Sequence, residues 1–394
     1  MQKKLYLDIG STYFKVGYDN KTRQYFRDFN KDIYSDLKDK CGSLLKNYSK
    51  EQIYICSSAN GGLSTLIIGL TSLFSIKYAT NIAFNSGINI IDKVLYSKIE
   101  EITPPDSLID VVIIVGGIDI VKPKFDIRLI KFLKELKYNN IVYVGNRVDV
   151  KFLEENIPNL VVLPNIITNK LKVREEFLRD YLTNLYQKDI VGKEDIKRLY
   201  EITSNQIYPT PYIVNRSLPR LREIFEVADP FLVIDIGGAT TDIHYSTDLV
   251  AHKNIITESG YDRLVFKKLG VYKSRESLIF SAKNNEFVYE LLDYLGLNDT
   301  IFQEHSSKAT ITLMQLAIFL VLYFVSKSDD DYEVILKLEI LKSIVITGGV
   351  SKVLSIEDIK RAVRFFYKKI LHFDTIPEII VDREYKIWTL GMNT

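Results

Sequence analysis

The chain has 394 residues, 46% hydrophobic and 26% charged, with a formal net charge of +2. That is enough apolar material for two or three domains, and the mixed charge gives no reason to expect nucleic acid or an anionic membrane as a partner. The two cysteines, Cys41 and Cys56, stand in no CxxC or Cys/His cluster, which argues against a disulfide framework or a zinc site and fits a reducing, cytoplasmic setting.

The first residues run at once into a predicted strand, Leu5 to Leu7, so no secretory leader is expected. That strand ends in Asp8-Ile9-Gly10-Ser11-Thr12, and a second strand, Tyr13 to Tyr18, returns as a hairpin arm. Residues 21–50 predict a third strand and then a helix. From Gln52 to about Ile190 short apolar runs alternate with helix-period segments. Ile53–Ile55, Ile109–Val115, Ile141–Val144 and Leu160–Leu163 read as strands, and 76–87, 126–137 and 149–156 as helices. This βαβ rhythm predicts a parallel-sheet unit. Two long helices are expected at 172–188 and 193–203. A buried strand over Phe231 to Ile234 leads into Asp235-Ile236-Gly237-Gly238-Ala239-Thr240-Thr241-Asp242, followed by a hairpin arm at Ile243–Tyr245. The longest apolar stretch, Leu313 to Val325, is too short to span a bilayer and predicts a buried helix. A last strand, Leu341 to Ile346, ends in Thr347-Gly348-Gly349 ahead of a helix at 356–371.

The pattern strand–Asp–Ile–Gly–small–Thr–strand therefore occurs twice, at 5–18 and at 231–245. Glycine lets a backbone approach a ligand closely, and successive amides in such a turn form a concavity for anions. An aspartate cannot bind phosphate, but it can hold a hydrated Mg²⁺ that does. Two such turns facing each other would grip a polyphosphate, with Asp8 and Asp235 directed at the metal. The same aspartates also suit the orientation of an attacking water. Gly348-Gly349 removes side chains where a purine and ribose would lie against the backbone.

Two Asp-Gly turns followed by a Gly-Gly turn form the phosphate-1, phosphate-2 and adenosine series of the actin, Hsp70 and sugar-kinase superfamily, which the chain resembles. The resemblance implies an α/β, two-lobed, actin-like ATPase fold of ribonuclease H-like type. Lobe I would cover 1–228 with an inserted parallel α/β subdomain at 51–205, and lobe II 229–394 with a C-terminal return segment. It assigns Gly10, Ser11, Thr12, Lys15, Gly237, Gly238, Thr240, Thr241, Gly348 and Gly349 to ATP and Asp8 and Asp235 to Mg²⁺ and catalysis. Lys15 otherwise reads as a solvated strand residue, Asp242 as structural, and His244 as a satisfied core or edge histidine. Pro209-Thr210-Pro211-Tyr212 and Trp388-Thr389-Leu390-Gly391-Met392 match the helices that connect the lobes.

The middle of the chain narrows the family. Ser57-Ser58-Ala59-Asn60-Gly61-Gly62, Val115-Gly116-Gly117, Gly145-Asn146-Arg147, Leu163-Pro164-Asn165 and the Gly-Gly-Ala-Thr-Thr-Asp-Ile-His stretch from Gly237 resemble the accessory proteins called MutL or GlmL, which are unrelated to mismatch repair. The chain departs from them at Phe14-Lys15 and at Ile118-Asp119-Ile120-Val121, which weakens the expectation of a ligand on the middle loop. Gly116-Gly117 and Gly145-Asn146 are otherwise placed where α/β sheets hold ligands, or are simple turns. The resemblance implies an ATP-dependent accessory or reactivating chaperone, a slow Mg²⁺-dependent ATPase, serving an adenosylcobalamin-dependent mutase such as glutamate mutase or an aminomutase. An actin-like filament protein and a small-molecule kinase are the alternatives that the same nucleotide motifs leave open.

Overall fold

A computed structural model of the chain describes residues 3–10, 12–19, 21–58, 62–86, 88–119, 122–192, 197–251, 260–327 and 335–393. The chain divides into two compact units, the first ending at Ile213 and the second beginning at Val214.

In unit 1, β1 (Leu5–Ile9), β2 (Tyr13–Tyr18) and β3 (Lys21–Phe26) form an antiparallel meander, followed by α1 (Ile33–Leu45). Asp32 caps α1 by accepting from the Ser35 amide. β4 (Ile53–Ser57) then pairs parallel to β1. The sequence pattern groups β4 with the βαβ series, but the chain uses it to extend the first sheet. The run from β5 (Leu63–Gly69), α2 (Lys77–Asn85), β6 (Ile88–Leu95), β7 (Ile109–Val115), α3 (Ile127–Glu135), β8 (Tyr138–Val144) and α4 (Val150–Asn156) to β9 (Val161–Leu163) builds a second, wholly parallel sheet in the order β6-β5-β7-β8-β9. Its strands are apolar on both faces because both are covered. Ile67, Val111, Ile113 and Val142 face the core shared with the first sheet, while Leu66, Ile68, Val112 and Ile114 face Leu129, Leu133 and Leu153 of α3 and α4. α5 (Glu176–Gly192) follows. The expected helix at 193–203 lies partly outside the described residues, and its described part holds a 3-10 turn at Arg198–Glu201. β10 (Tyr208–Pro209) returns to pair with β4, and α6 (Thr210–Ser217) carries the chain into unit 2.

Unit 2 repeats the first sheet. β11 (Phe231–Ile236), β12 (Thr241–Ser246) and β13 (Tyr261–Phe266) form an antiparallel meander. Helices α7 (Arg275–Lys283), α8 (Val288–Leu295) and α9 (Ser307–Ser326) precede β14 (Ser343–Gly348), which pairs parallel to β11. After α10 (Ile356–Phe366), β15 (Glu378–Val381) pairs with β14, and α11 (Lys386–Met392) ends the described chain. At 20 residues α9 exceeds the apolar run that predicted it and has the length and composition to cross a membrane. It is instead the centre of the unit's core: 72% of its most apolar window is buried, among Leu232, Ile234, Ile243 and Val363.

The sheets β3-β2-β1-β4-β10 and β13-β12-β11-β14-β15 share one order and one pattern of strand directions. This is the ribonuclease H-like arrangement, present once in each unit, with a parallel α/β subdomain inserted between β4 and β10. It is the actin-like fold.

Candidate functional site

The first turn grows from the end of β1. Gly10 N donates to Tyr13 O at 2.9 Å, and a Cβ on Gly10 would stand 2.7 Å from that oxygen, so the turn closes only around glycine. Arg27 braces it from the end of β3: its amide donates to Thr12 O at 2.9 Å, and its guanidinium lies 3.4 Å from Gly10 O and over the Phe14 ring. Ser11 lies outside the described residues. Asp8 is 1% exposed and well partnered. Lys15 Nζ stands 3.1 Å from one carboxylate oxygen, and the Thr210 hydroxyl donates to the other at 2.6 Å. Lys15 is thus not a solvated strand residue. Asp8 and Lys15 are register partners on one sheet face, which brings the ammonium onto the carboxylate. Cys56, the register partner on the other side, places its thiol 3.6 Å from Asp8. Burial, and then the Asp8 charge, push that thiol's pKa well up, so it stays protonated.

The second turn repeats the first. Gly237 N donates to Thr240 O at 2.9 Å. The carbonyls beyond it are taken by the loop ahead of α7. Val271 N donates to Gly237 O, Tyr272 N and Lys273 N to Gly238 O, and the Ser274 hydroxyl to Ala239 O at 2.6 Å. Among the described residues the amides of Gly238, Ala239 and Thr240 make no hydrogen bond, which leaves a short row of donors of the kind that cradles an anion. The Thr240 hydroxyl donates to Asp242 at 3.0 Å, whereas Thr241 is fully buried and spends its hydroxyl on Leu269 O at 2.7 Å. Asp242 faces Asp235 across the β11–β12 pair and is neutralised by Arg263, whose Nε lies 3.1 Å away and whose Nη2 also bonds it. The two turns therefore differ in charge: Asp8 is opposite a lysine, Asp235 opposite a second carboxylate.

His244 is register partner to Arg263 and 1% exposed. Among the described residues neither ring nitrogen has a hydrogen-bond partner, in contrast to the satisfied histidine expected from the sequence. Burial first, and the Arg263 charge second, hold its pKa well below the ordinary value.

The Gly-Gly turn lies directly beside the second turn, because β14 pairs with β11 and sets Gly348 opposite Ile236. Gly348 has φ +81°, and a Cβ there would run into Asp235 Oδ1 and stand 2.5 Å from Ile236 O. Gly349 is open by comparison, its nearest such contact being 3.9 Å. Asp382, 1% exposed, accepts from the Thr347 hydroxyl at 3.0 Å and from the Lys386 and Ile387 amides at the start of α11. Arg383 donates to Ser351 O and Leu354 O, both at 2.8 Å. Sequence reasoning missed Arg27, Arg263, Asp382, Arg383 and the contact of Thr210. The four charged residues stand within no motif, and Thr210 lies in the Pro209–Tyr212 stretch, which reads only as a connecting helix; the folded sheets bring each of them to its partner.

The loops of the inserted sheet bind one another. A Cβ on Gly145 would collide with Gly116 Cα, Asn165 Nδ2 donates to Gly117 O at 2.7 Å, and Asn146 Nδ2 donates to Lys122 O. These glycines serve close backbone packing. Among the described residues no group of three or more His, Cys, Asp or Glu side chains could hold a metal ion. A hydrated Mg²⁺ on bound phosphate needs fewer protein ligands; the carboxylate of Asp235, on β11 just before the second turn, has the chemistry for it, whereas Asp242 is already held by Arg263.

Residues 4–314 match the family model described as MutL protein. The chain belongs to the MutL family. The match takes in both phosphate-type turns and ends before the Gly-Gly turn. The Protein MutL of Clostridium tetanomorphum is 27% identical to this MutL-family chain over 292 residues, covering 68% of the chain and 63% of the relative. The chain therefore spans less than two thirds of that relative's length. Similar solved structures include nucleotide-free acetone carboxylase (12% identity, TM-score 0.38, 99% of this chain and 70% of that one). Two more are a non-polymerisable quadruple mutant of pCBH ParM (12%, 0.35, 99% and 98%) and a glycerol dehydratase reactivase (9%, 0.33, 100% and 99%).

Proposed function

We propose that this MutL-family chain is an ATP- and Mg²⁺-binding accessory protein that keeps an adenosylcobalamin-dependent mutase, such as glutamate mutase or an aminomutase, in working order. The observation that carries the nucleotide reading is the repeated turn. The same glycine-closed hydrogen bond follows an aspartate-ended strand in both units, and the second copy packs against the Gly-Gly turn. The mutase partner rests on the family resemblance.

In this reading the Gly238 and Thr240 amides, with Ser11 and Thr12, donate to phosphate, while Gly10 and Gly237, whose amides close the turns, let the backbone approach it. Gly348 and Gly349 bear the adenosine, Asp235 and Asp8 organise the hydrated metal, and Lys15 exchanges its ion pair for a phosphate. Thr241 supports the second turn from within. Bound ATP-Mg supplies a γ-phosphoryl group whose slow hydrolysis resets the protein, and the chain's own donors stabilise the charge that spreads over that group. A cytoplasmic setting accords with two buried free thiols.

The test is the thermal unfolding midpoint with and without ATP-Mg, followed by co-purification with mutase subunits. A ligand that binds only the folded state contributes about 2.7 kcal/mol at a hundred times its Kd. A rise in the midpoint that is lost in Asp235→Ala and Asp8→Ala is expected. No shift at millimolar ATP, or an equal shift in both variants, overturns the nucleotide reading. Failure to retain any adenosylcobalamin mutase, with ATP binding intact, overturns the partner alone.

A further inference from the structure

Thr210 carries chemistry that the phosphate-type motifs do not include. It opens α6 immediately after β10, stands 202 residues from Asp8 in sequence, and donates to Asp8 Oδ1 at 2.6 Å with both residues buried. Its backbone is held firmly. Pro209 pairs in the sheet opposite Ser57, Pro211 fixes φ in the first helical turn, and Tyr208 packs on Tyr212 at 5.5 Å between ring centroids.

Asp8 thus has two strong donors of different kinds. Lys15 is a cation on a flexible stem and holds Oδ2 at 3.1 Å. Thr210 is a neutral hydroxyl on a short, branched side chain and holds Oδ1. The Cys56 thiol, at 3.6 Å, is a weak third. Lys15 extends from β2, whose first residue closes the first turn, so an anion seated on that turn competes with Asp8 for the ammonium. If Lys15 moved to the anion and nothing else bonded the carboxylate, a buried charge would be left uncompensated, and that cost would oppose the exchange. The Thr210 hydroxyl removes much of that cost and keeps the carboxylate aimed.

We propose that Thr210 is a positioning residue for nucleotide binding: it keeps the Asp8 carboxylate hydrogen-bonded and oriented while Lys15 transfers from Asp8 to phosphate. This rests on the nucleotide reading given above.

The experiment uses the full chain and ATP-Mg as the probe, with affinity measured by calorimetry and the unfolding midpoint recorded without nucleotide. Thr210→Val removes the donor at nearly constant volume and is expected to weaken ATP-Mg binding about tenfold, the worth of one hydrogen bond to a charged group. Thr210→Ser restores binding to within about threefold of wild type, since the donor returns. In an Asp8→Asn background the further change to Val has no effect on affinity, because Thr210 acts through the Asp8 charge. Should the valine variant fail to fold, Thr210→Ala, with room for water, takes its place in the same comparison. Wild-type affinity in the valine or alanine variant overturns the proposal. So does an undiminished loss in the Asp8→Asn background, or a serine variant as weak as valine. Absence of ATP-Mg binding by the wild type itself overturns the nucleotide reading and this role with it.

Discussion

Gly348→Ala tests the contact between the second turn and the Gly-Gly turn, and Gly349→Ala is its control. Gly348 has φ +81° and ψ −169°, a region that residues with a Cβ occupy at a cost of about 1–3 kcal/mol. Its added methyl would also run into Asp235 Oδ1 and stand 2.5 Å from Ile236 O. Neither neighbour can yield easily: Ile236 is a fully buried strand residue, and Asp235 belongs to the same strand as it enters the turn. Overpacking of this kind adds about 1–3 kcal/mol, so the total loss is about 2–6 kcal/mol. At Gly349 the added methyl meets nothing nearer than 3.9 Å, and the change should cost under about 1 kcal/mol. The assay is urea unfolding of both variants and wild type, followed by secondary-structure signal, with the midpoint and slope fitted separately. By heat, the Gly348 variant should unfold at least about 4 °C below wild type. A Gly348 variant as stable as wild type, or a Gly349 variant that loses more, would refute the argument from backbone conformation and contact.

Two further outcomes follow from the buried charges. Lys15→Met strips a cation from Asp8, whose side chain is 2% exposed, and should destabilise the fold by about 2–4 kcal/mol; the double variant with Asp8→Asn should regain most of it in the same urea assay. A double variant no more stable than Lys15→Met alone would show that the lysine stem, not the charge pair, matters there. His244 has a folded pKa depressed below its unfolded value of about 6.5, so the unfolded state takes up a proton that the folded state refuses. Its share of stability is intact above pH 6.5 and is lost as pH falls, by up to about 1.4 kcal/mol per pH unit. His244→Leu should therefore flatten the stability profile between pH 6.5 and 5 relative to wild type. Parallel profiles would mean that the imidazole finds a partner when protonated.

Much of the fold was legible because its signals are local. The strands that enter each glycine turn are short, apolar and bounded, and both hairpins form where the alternation predicts them. β5 and β6 were missed for physical reasons. β5 follows a glycine-rich stretch that reads as loop, and β6 exposes Ile91, Asp92 and Lys93 at an edge with a register shift, which hides its periodicity. Of the helix expected at 193–203, the described part has Lys197 helical and a 3-10 turn at Arg198–Glu201, where Leu199 alone is buried. Lys15 was misread as solvated because a strand pattern gives the facing side, not the charge that waits on the neighbouring strand.

The amino-acid sequence by itself determined the two glycine-closed turns, their order and the Gly-Gly turn, since each depends on residues that are neighbours along the chain and on backbone freedom that only glycine provides. The tertiary structure alone decided which charges meet. Thr210 reaches Asp8, Arg263 neutralises Asp242, and Asp382 holds Thr347, because sheet register sets them side by side. Spacing along the chain carries no trace of such pairs. Their energies depend on the burial that folding creates, and that burial makes Asp8, with its lysine, and Asp235, with its second carboxylate, two different sites built on the same motif.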